Sequence, residues 1–236
     1  MEFKYTSDPF DLELIDVMGT DLTIVNAARI SFGKRKDTPP TNSDIKLLNY
    51  LAREQHYSPF RHCMLQFRIR APEFVMRQAY KHVVGCEWTS VHPTKDHAWN
   101  EVSGRYKPYD TMYVPSVWYN QHDRAKQCSG EALSDETQDQ VRSIYTQCMD
   151  TIQANYKKLL ELGVAREQAR MVLPLTTMTE VIWTASLQAV FHFVMLRDSP
   201  HAQKEIRLLA GAIRGILEEK FPHAIKALEQ AQKKSS

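Results

Sequence analysis

Residues 63–83 have the sequence CMLQFRIRAPEFVMRQAYKHV, in which the spacing of apolar residues changes at Pro72. Before Pro72, apolar and polar residues alternate, and this period of two predicts a β-strand with arginines on its polar face. Pro72 suits the first turn of a helix, and the apolar residues after it recur with helical spacing. The opposite face of that predicted helix carries Arg77, Gln78, Lys81 and His82. We therefore expect a strand that leads directly into a helix with a cationic and amide face.

Outward from this stretch, the chain contains more predicted helices than strands. Longer strands are expected at residues 12–18 and 175–184, and shorter extended segments at 100–106 and 112–118. Residues 85–98 show no period and are expected to form a loop. Helices are predicted at residues 22–30, from residue 43, between Ser134 and Gly163, at residues 165–172 and 187–196, and finally after Ser199-Pro200 with Ile206, Leu209, Ile213 and Ile216 on one face. Because strands and helices do not alternate regularly, these patterns favour an α+β fold, with residues 1–236 as a single domain.

The composition excludes several classes of protein. The 236 residues include 30 Lys+Arg and 28 Asp+Glu, a formal net charge of +2. Genome-binding proteins usually show a basic excess, so we expect no nucleic-acid partner. The chain is 43% hydrophobic and 10% aromatic, which is typical of a globular protein and not of a disordered one. The longest apolar stretch, residues 181–196, is too short and too interrupted to span a membrane, so we expect no membrane association.

The cysteines and histidines indicate neither disulfides nor a metal site. The four cysteines are Cys63, Cys86, Cys128 and Cys148. They form no CxxC pair, and the first ten residues lack the apolar core of a signal peptide, so a reducing cytoplasm is expected. The spacing of Cys86, His92 and His97 matches no common zinc pattern. The sequence also lacks the Walker, GxGxxG, HExxH and GxSxG motifs.

The candidate site is the cationic and amide set between residues 77 and 105. In Ser103-Gly104-Arg105, a hydroxyl and a guanidinium can bind a phosphate, and glycine allows close approach of the backbone. The side-chain amide of Gln78 or Asn100 could pair with a pyrimidine ring. The same residues could instead form a solvated helix face and a surface turn. Residue chemistry alone leaves both interpretations open.

Residues 77–82, RQAYKH, and residues 100–106, NEVSGRY, resemble the signature of flavin-dependent thymidylate synthases. Other segments resemble the same family in the same order: 14–19 (LIDVMG), 27–32 (AARISF), 56–62 (HYSPFRH), 165–174 (AREQARMVLP) and 196–206 (LRDSPHAQKEI). The resemblance implies an antiparallel sheet packed with a helical bundle, in a homotetramer with active sites between subunits. It also implies bound FAD, with NADPH and 5,10-methylenetetrahydrofolate as co-substrates. The implied reaction is reductive methylation at C5 of dUMP, without a cysteine nucleophile.

The resemblance also implies roles for individual residues. Arg197 matches the arginine that stabilises the uracil ring ionised at N3 and is the predicted catalytic residue. A guanidinium stays protonated and so favours the anionic ring. Nucleotide binding is predicted for Gln78, Lys81, Glu101, Val102, Ser103, Gly104, Arg105, Arg170 and Arg197. Flavin binding is predicted for His56, Ser58, Lys81, His82, Val83, Glu101, Ser186, Gln188 and His192.

The departures from the family pattern concentrate on the predicted flavin side. Lys81-His82-Val83 stands where the family has Arg-His-Arg, and Ser186-Leu187-Gln188 where it usually has an Asn-x-Arg pair. Arg61 replaces a common acidic residue, and residues 83–99 form an insertion between two site motifs. These changes leave two alternatives open. One is a UMP (or UMP/dUMP) C5-methylase of a nucleoside-antibiotic pathway, and the other is a catalytically inactive nucleotide-binding homologue.

Overall fold

A computed structural model describes residues 3–82, 97–124 and 127–233. The strands are β1 Lys4–Thr6, β2 Asp11–Met18, β3 Met64–Pro72, β4 His97–Glu101, β5 Thr111–Tyr113, β6 Tyr119–Gln121, β7 Ser129–Ala132 and β8 Met178–Ser186. The α-helices are α1 Asp21–Arg29, α2 Asn42–Arg53, α3 Glu73–Tyr80, α4 Asp135–Glu161, α5 Arg166–Ala169, α6 Leu187–Arg197, α7 Lys204–Lys220 and α8 Pro222–Lys233. Short 3-10 helices occupy Ile30–Phe32, Ser58–His62 and Arg170–Val172.

The main sheet has the strand order β2-β3-β8-β4, and every neighbouring pair is antiparallel. Its register places Pro72, the last residue of β3, opposite Met178 at the start of β8. Glu101, the last residue of β4, lies opposite Val181 in the same part of β8. Helix α3 begins immediately after Pro72. The register therefore brings the start of α3 and the end of β4 to the same end of the sheet.

The hydrophobic core lies between one face of this sheet and the helices. Phe67 of β3 and Trp183 of β8 are opposite each other in the register, are at most 1% exposed, and have ring centroids 5.9 Å apart. Phe193 of α6 meets Trp183 edge-on at 5.6 Å. Burying each such side chain contributes about 1.5–3 kcal/mol to folding. The strands and helix that carry the candidate site are therefore anchored to a close-packed core.

The opposite face of the sheet is polar. Arg68 of β3 forms ion pairs with Glu180 at 2.7 Å, Asp11 at 3.2 Å and Glu13 at 3.7 Å. The prediction of a strand with arginines on its polar face is confirmed, because β3 alternates buried and half-buried residues from Met64 to Arg70. The predicted combination of an antiparallel sheet with helices is confirmed as well.

Several predicted boundaries are wrong. The helix predicted as the last one is α7, and a further helix that was not predicted, α8, follows it. The two helices are separate because Pro222 lacks an amide hydrogen and disfavours a helical conformation at Phe221, whose φ and ψ are −135° and 56°. Helix α7 also begins at Lys204 and not just after Pro200, and α3 ends at Tyr80. Within the described ranges, no helix is long and apolar enough to cross a bilayer.

The short extended segments also differ from their predictions. The segment expected at 100–106 is strand only at its start, because β4 runs from His97 to Glu101 and a turn follows. In that turn the Tyr106 amide donates to the Ser103 carbonyl at 2.9 Å. The prediction of a loop at 85–98 is wrong for its last two residues, which belong to β4. The other residues of that predicted loop lie outside the described ranges. The segment expected at 112–118 is strand only in β5, and the β6–β7 hairpin was not predicted.

Candidate active site

A cleft of about 650 Å³ lies between α3 and β4. Helix α3 buries Val75, Met76 and Ala79 against the core, and this fixes its other face toward the cleft. The cleft is lined by Glu73, Met76, Arg77, Tyr80, Lys81, Trp99 and Glu101. Arg77 and Lys81, two residues of the predicted cationic face, therefore line a cavity large enough for a small organic ligand.

Aromatic rings and a carboxylate form the β4 wall of the cleft. Trp99 contacts the Tyr80 ring edge-on at 5.4 Å, and its indole nitrogen donates to Glu101 Oε2 at 3.3 Å. Glu101 Oε1 accepts a hydrogen bond from the Thr179 hydroxyl of β8 at 2.7 Å. Because both carboxylate oxygens are engaged, the Glu101 side chain is held in one orientation at the edge of the cleft.

The turn after β4 forms a compact group with Arg170. Ser103 Oγ accepts hydrogen bonds from the Arg105 amide at 3.3 Å and from Arg105 Nε at 3.4 Å. Gly104 is buried, and an added Cβ there would lie 2.5 Å from Tyr109 Cε2 and 3.1 Å from Arg170 Cδ. Only glycine leaves room for this approach. The Ser103 hydroxyl, the Arg105 guanidinium and the Arg170 side chain thus lie around one glycine, and donors of these kinds are suited to binding a phosphate.

Glu73, which the sequence did not indicate, links the cleft to this group. Burial raises the pKa of its carboxyl, the nearby charge of Glu101 raises it further, and Arg77 and Arg170 oppose the shift. Two carboxylates and two guanidinium groups therefore influence one another at this end of the sheet. A signal existed in the sequence, since Glu73 lies one helical turn before Arg77 and so shares its face. Tyr80, Met76 and Thr179 are further cleft or supporting residues that the sequence did not indicate.

Gln78 and Arg197, two further predicted site residues, each contact a different side chain. The Gln78 side-chain amide donates to Gln203 Oε1 at 2.8 Å. Arg197, the last residue of α6, donates from Nε to His82 Nε2 at 2.8 Å. The His82 ring is 7% exposed and packs edge-on against Phe193 at 5.4 Å. Burial, followed by the charges of Arg197 and His192, lowers the pKa of His82 to about 4, so this imidazole is neutral at pH 7.

The residues predicted for the flavin are distributed over several elements, and one of them, Glu101, is the last residue of β4 described above. Ser186 and Gln188, both buried, lie at the start of α6, where Ser186 Oγ accepts from the Ala189 amide at 3.2 Å. Gln188 Oε1 has no hydrogen-bond partner within the described ranges, so it can accept a bond from a ligand. His192 is exposed on the same helix. The other residues are His56 and Ser58, exposed at the 3-10 helix Ser58–His62, and Lys81 and His82 at the end of α3.

The remaining predictions of the sequence concern Val83, Val102 and metal ligands. Val83 lies outside the described residues. Val102 is exposed, and its amide donates to the Glu180 carbonyl at 2.9 Å, which continues the edge of the sheet beyond β4. Of the three residues considered as metal ligands, Cys86 and His92 lie outside the described ranges. Within those ranges, no group of three His, Cys, Asp or Glu residues could hold a metal ion.

The fold and this geometry define a class of protein, namely an α+β protein with a cleft lined by charged and aromatic side chains. Comparison with known proteins gives the family. The family model described as "Thymidylate synthase complementing protein" matches residues 13–223. The flavin-dependent thymidylate synthase of Thermus thermophilus is 40% identical over 220 residues, covering 93% of this chain and 75% of the relative. That of Kosmotoga olearia is 38% identical and covers 96% and 93%.

Solved structures agree with the sequence relatives. The crystal structure of the UMP/dUMP methylase PolB from Streptomyces cacaoi, bound with 5-Br UMP, superposes with a TM-score of 0.82 and 29% identity over 98% of both chains. The complex of the same methylase with 5-Br dUMP also gives a TM-score of 0.82. The chain belongs to the flavin-dependent thymidylate synthase family. The predictions of this family and of an enzyme are confirmed.

Proposed function

We propose that this protein methylates C5 of a pyrimidine nucleoside monophosphate, converting dUMP to dTMP. The observation that carries the proposal is the approach of the Arg170 side chain to Gly104, next to the hydrogen bond from Arg105 to Ser103, beside a cleft in a member of this family. A phosphate would be held there by charge-assisted hydrogen bonds. Gln78, Lys81, Glu101 and Val102 complete the proposed nucleotide set.

Arg197 is the proposed catalytic residue. Its guanidinium would lie against the uracil ring and favour ionisation at N3, because a fixed positive charge lowers the pKa of a neighbouring acid. Negative charge on the ring makes C5 more nucleophilic, so the activation is electrostatic and needs no covalent bond to the enzyme. Burial, followed by the charge of Asp21, raises the pKa of the Cys63 thiol to about 12, so this cysteine is a poor nucleophile at pH 7.

The proposed cofactor is FAD, with NADPH and 5,10-methylenetetrahydrofolate as co-substrates. When bound, the flavin would supply the hydride chemistry that reduces the transferred one-carbon unit. Membership of a flavin-dependent family supports this proposal, and so does the unpartnered acceptor oxygen of Gln188 within the described ranges. The residues that would hold the flavin are His56, Ser58, Lys81, His82, Val83, Glu101, Ser186, Gln188 and His192. Lysine at position 81 keeps a positive charge but lacks the fork of an arginine.

We further propose a homotetramer with active sites between subunits. The resemblance to the family supports this arrangement. Within one copy, Arg105 contacts Ser103, Gln78 contacts Gln203, and Arg197 contacts His82. A site between subunits would allow residues from different copies to face the same nucleotide.

The second candidate function is C5-methylation of UMP, favoured by the structural match to a methylase described as acting on UMP and dUMP. We expect kcat/KM for dUMP to exceed that for UMP by roughly tenfold, since rejecting one added hydroxyl is worth about one to two orders of magnitude. Initial rates with each nucleotide, at saturating co-substrates, provide the measurement. Equal or faster turnover of UMP would overturn the preference for dUMP and support the second function.

The absorption spectrum of the purified protein provides the control for these rates. We expect a yellow protein whose flavin absorbance bleaches when NADPH and nucleotide are added. A protein that binds nucleotide without flavin absorbance and without turnover would be the inactive homologue considered from the sequence.

Replacing Arg105 with alanine should weaken nucleotide binding and leave the fold intact. Charge-assisted hydrogen bonds contribute about 1.5–3 kcal/mol, so the dissociation constant for dUMP should rise roughly 10- to 100-fold. Calorimetric titration of the flavin-loaded protein measures the change. The matched control is Lys107→Ala, because Lys107 is an exposed cation two residues away. If the two variants bind dUMP equally well, Arg105 makes no specific contact with the phosphate.

A further inference from the structure

We propose that His82 is a positioning residue for catalysis, which fixes the Arg197 guanidinium by accepting its Nε–H hydrogen bond at Nε2. The proposal rests on the function proposed above, in which Arg197 stabilises the ionised uracil ring. The family resemblance implies that His82 contacts the flavin. The proposal adds a second role, in which His82 orients Arg197.

The hydrogen bond uses the part of Arg197 that is least needed by a ligand. Arg197 Nε donates to His82 Nε2 at 2.8 Å across 115 residues of sequence. The guanidinium has five N–H donors in a fixed plane. Anchoring it through Nε orients that plane and leaves the two terminal nitrogens available. A side chain with many rotamers is thereby restricted before the nucleotide binds, which reduces the entropy lost on binding.

The acceptor is an uncharged nitrogen, so it orients the Arg197 guanidinium without offsetting its positive charge. A carboxylate in the same place would form an ion pair and offset the positive field that the ring anion needs. The adjacent carboxylate, Asp198, is engaged elsewhere, since Arg214 Nη1 lies 2.8 Å from its Oδ2. Within the part of the chain that the structure describes, no carboxylate forms an ion pair with Arg197.

The His82 ring is itself held by the core. Its edge-on contacts are with Phe193 at 5.4 Å and His192 at 6.0 Å, and the fully buried Phe193 packs in turn on Trp183. The His82 amide donates to the Ala79 carbonyl at 3.0 Å, which fixes the backbone at the end of α3. Accepting at Nε2 requires a neutral ring that carries its hydrogen on Nδ1. Burial and the neighbouring Arg197 and His192 favour that neutral ring by lowering the pKa of His82.

Two substitutions of His82 distinguish the effect of the hydrogen bond from the effect of side-chain volume. In His82→Gln, the amide oxygen extends about as far as Nε2 and retains an acceptor. In His82→Leu, the acceptor is lost while an apolar side chain still fills the space. A misplaced catalytic group costs up to about 10²-fold in rate. We expect kcat of His82→Leu to fall at least tenfold, with a smaller change in the dissociation constant for dUMP, and kcat of His82→Gln to recover most of the loss.

The variants are assayed as flavin-loaded protein, with flavin absorbance per chain and circular dichroism recorded for each. Wild-type turnover tests the proposed function, and the comparison among variants tests the role of His82. His82→Leu should cause no further loss in an Arg197→Lys background, because a residue that acts through Arg197 is not additive with it. Three outcomes would overturn the proposal. The Gln and Leu variants could be equally impaired, the losses in the double variant could be additive, or the rate could follow flavin content alone. If the Leu variant does not fold, His82→Asn replaces it, because its shorter amide cannot reach Arg197. Wild-type-like kcat in His82→Gln with an at least tenfold lower kcat in His82→Asn would support the proposal, and equal kcat in the two variants would overturn it.

Discussion

Replacing Arg197 with lysine should reduce kcat by two to three orders of magnitude while the fold is preserved. The loss of a single donor that stabilises a developing anion costs about 10²–10³-fold. Lysine keeps a positive charge but has no planar fork and no Nε–H group, so it can neither face the ring bidentately nor bond to His82 as Arg197 does. The charge would remain, yet its position relative to the uracil ring would no longer be defined.

The measurement is the initial rate at saturating nucleotide and co-substrates, together with the dissociation constant for dUMP. A fall in kcat that exceeds the change in affinity indicates an interaction made in the transition state. The matched control is Arg142→Lys, because Arg142 is exposed on α4 and donates to the Ser116 carbonyl at 3.0 Å. That control should keep wild-type turnover. Wild-type kcat in Arg197→Lys would disprove the role of Arg197.

Replacing Asp44 with alanine should lower the free energy of unfolding by about 3–5 kcal/mol, the usual cost of removing one partner from a buried ion pair. The Asp44 carboxylate is fully buried, 2.5 Å from both Arg29 and Lys36. It also accepts hydrogen bonds from the Thr41 amide at 2.7 Å and the Thr41 hydroxyl at 2.8 Å. One side chain therefore joins the end of α1, the following loop and the start of α2.

The pH dependence of this contribution has a definite sign. Burial opposes ionisation of Asp44, but the bonds from Lys36 and Thr41 and the charge of Arg29 outweigh it and lower the pKa. A carboxyl with a lowered pKa in the folded state stabilises the fold above its unfolded pKa, and the stabilisation is lost as the pH falls below that value. The difference between wild type and Asp44→Ala should therefore shrink only in strongly acidic solution.

Urea unfolding followed by circular dichroism, at one protein concentration throughout, measures the effect. The matched control is Asp37→Ala, since Asp37 is an exposed carboxylate 3.5 Å from the equally exposed Arg35. Exposed ion pairs contribute about 0–1 kcal/mol, so this control should stay close to wild type. Comparable losses in the two variants would show that the buried ion pairs of Asp44 do not stabilise the fold.

Local patterns in the sequence were sufficient for most of the fold. The alternation that predicted β3 is visible because its two faces meet different environments, the core and the solvent. The end of α7 was also signalled, by Pro222, but helix α8 after it was not predicted. The β6–β7 hairpin had no such signal, because its strands are short and mostly exposed. Elements without a buried face leave little pattern to detect.

The sequence by itself determined the family and the kinds of side chain at the candidate site, because short motifs and helical periods are local properties. Only the tertiary structure decided which of these side chains meet. The register of β4 on β8 places Glu101 beside Thr179 across 78 residues, and Gly104 approaches Arg170. The packing of α6 brings Arg197 to His82. Such pairings depend on sheet register and helix packing over the whole core, so no spacing along the chain reveals them.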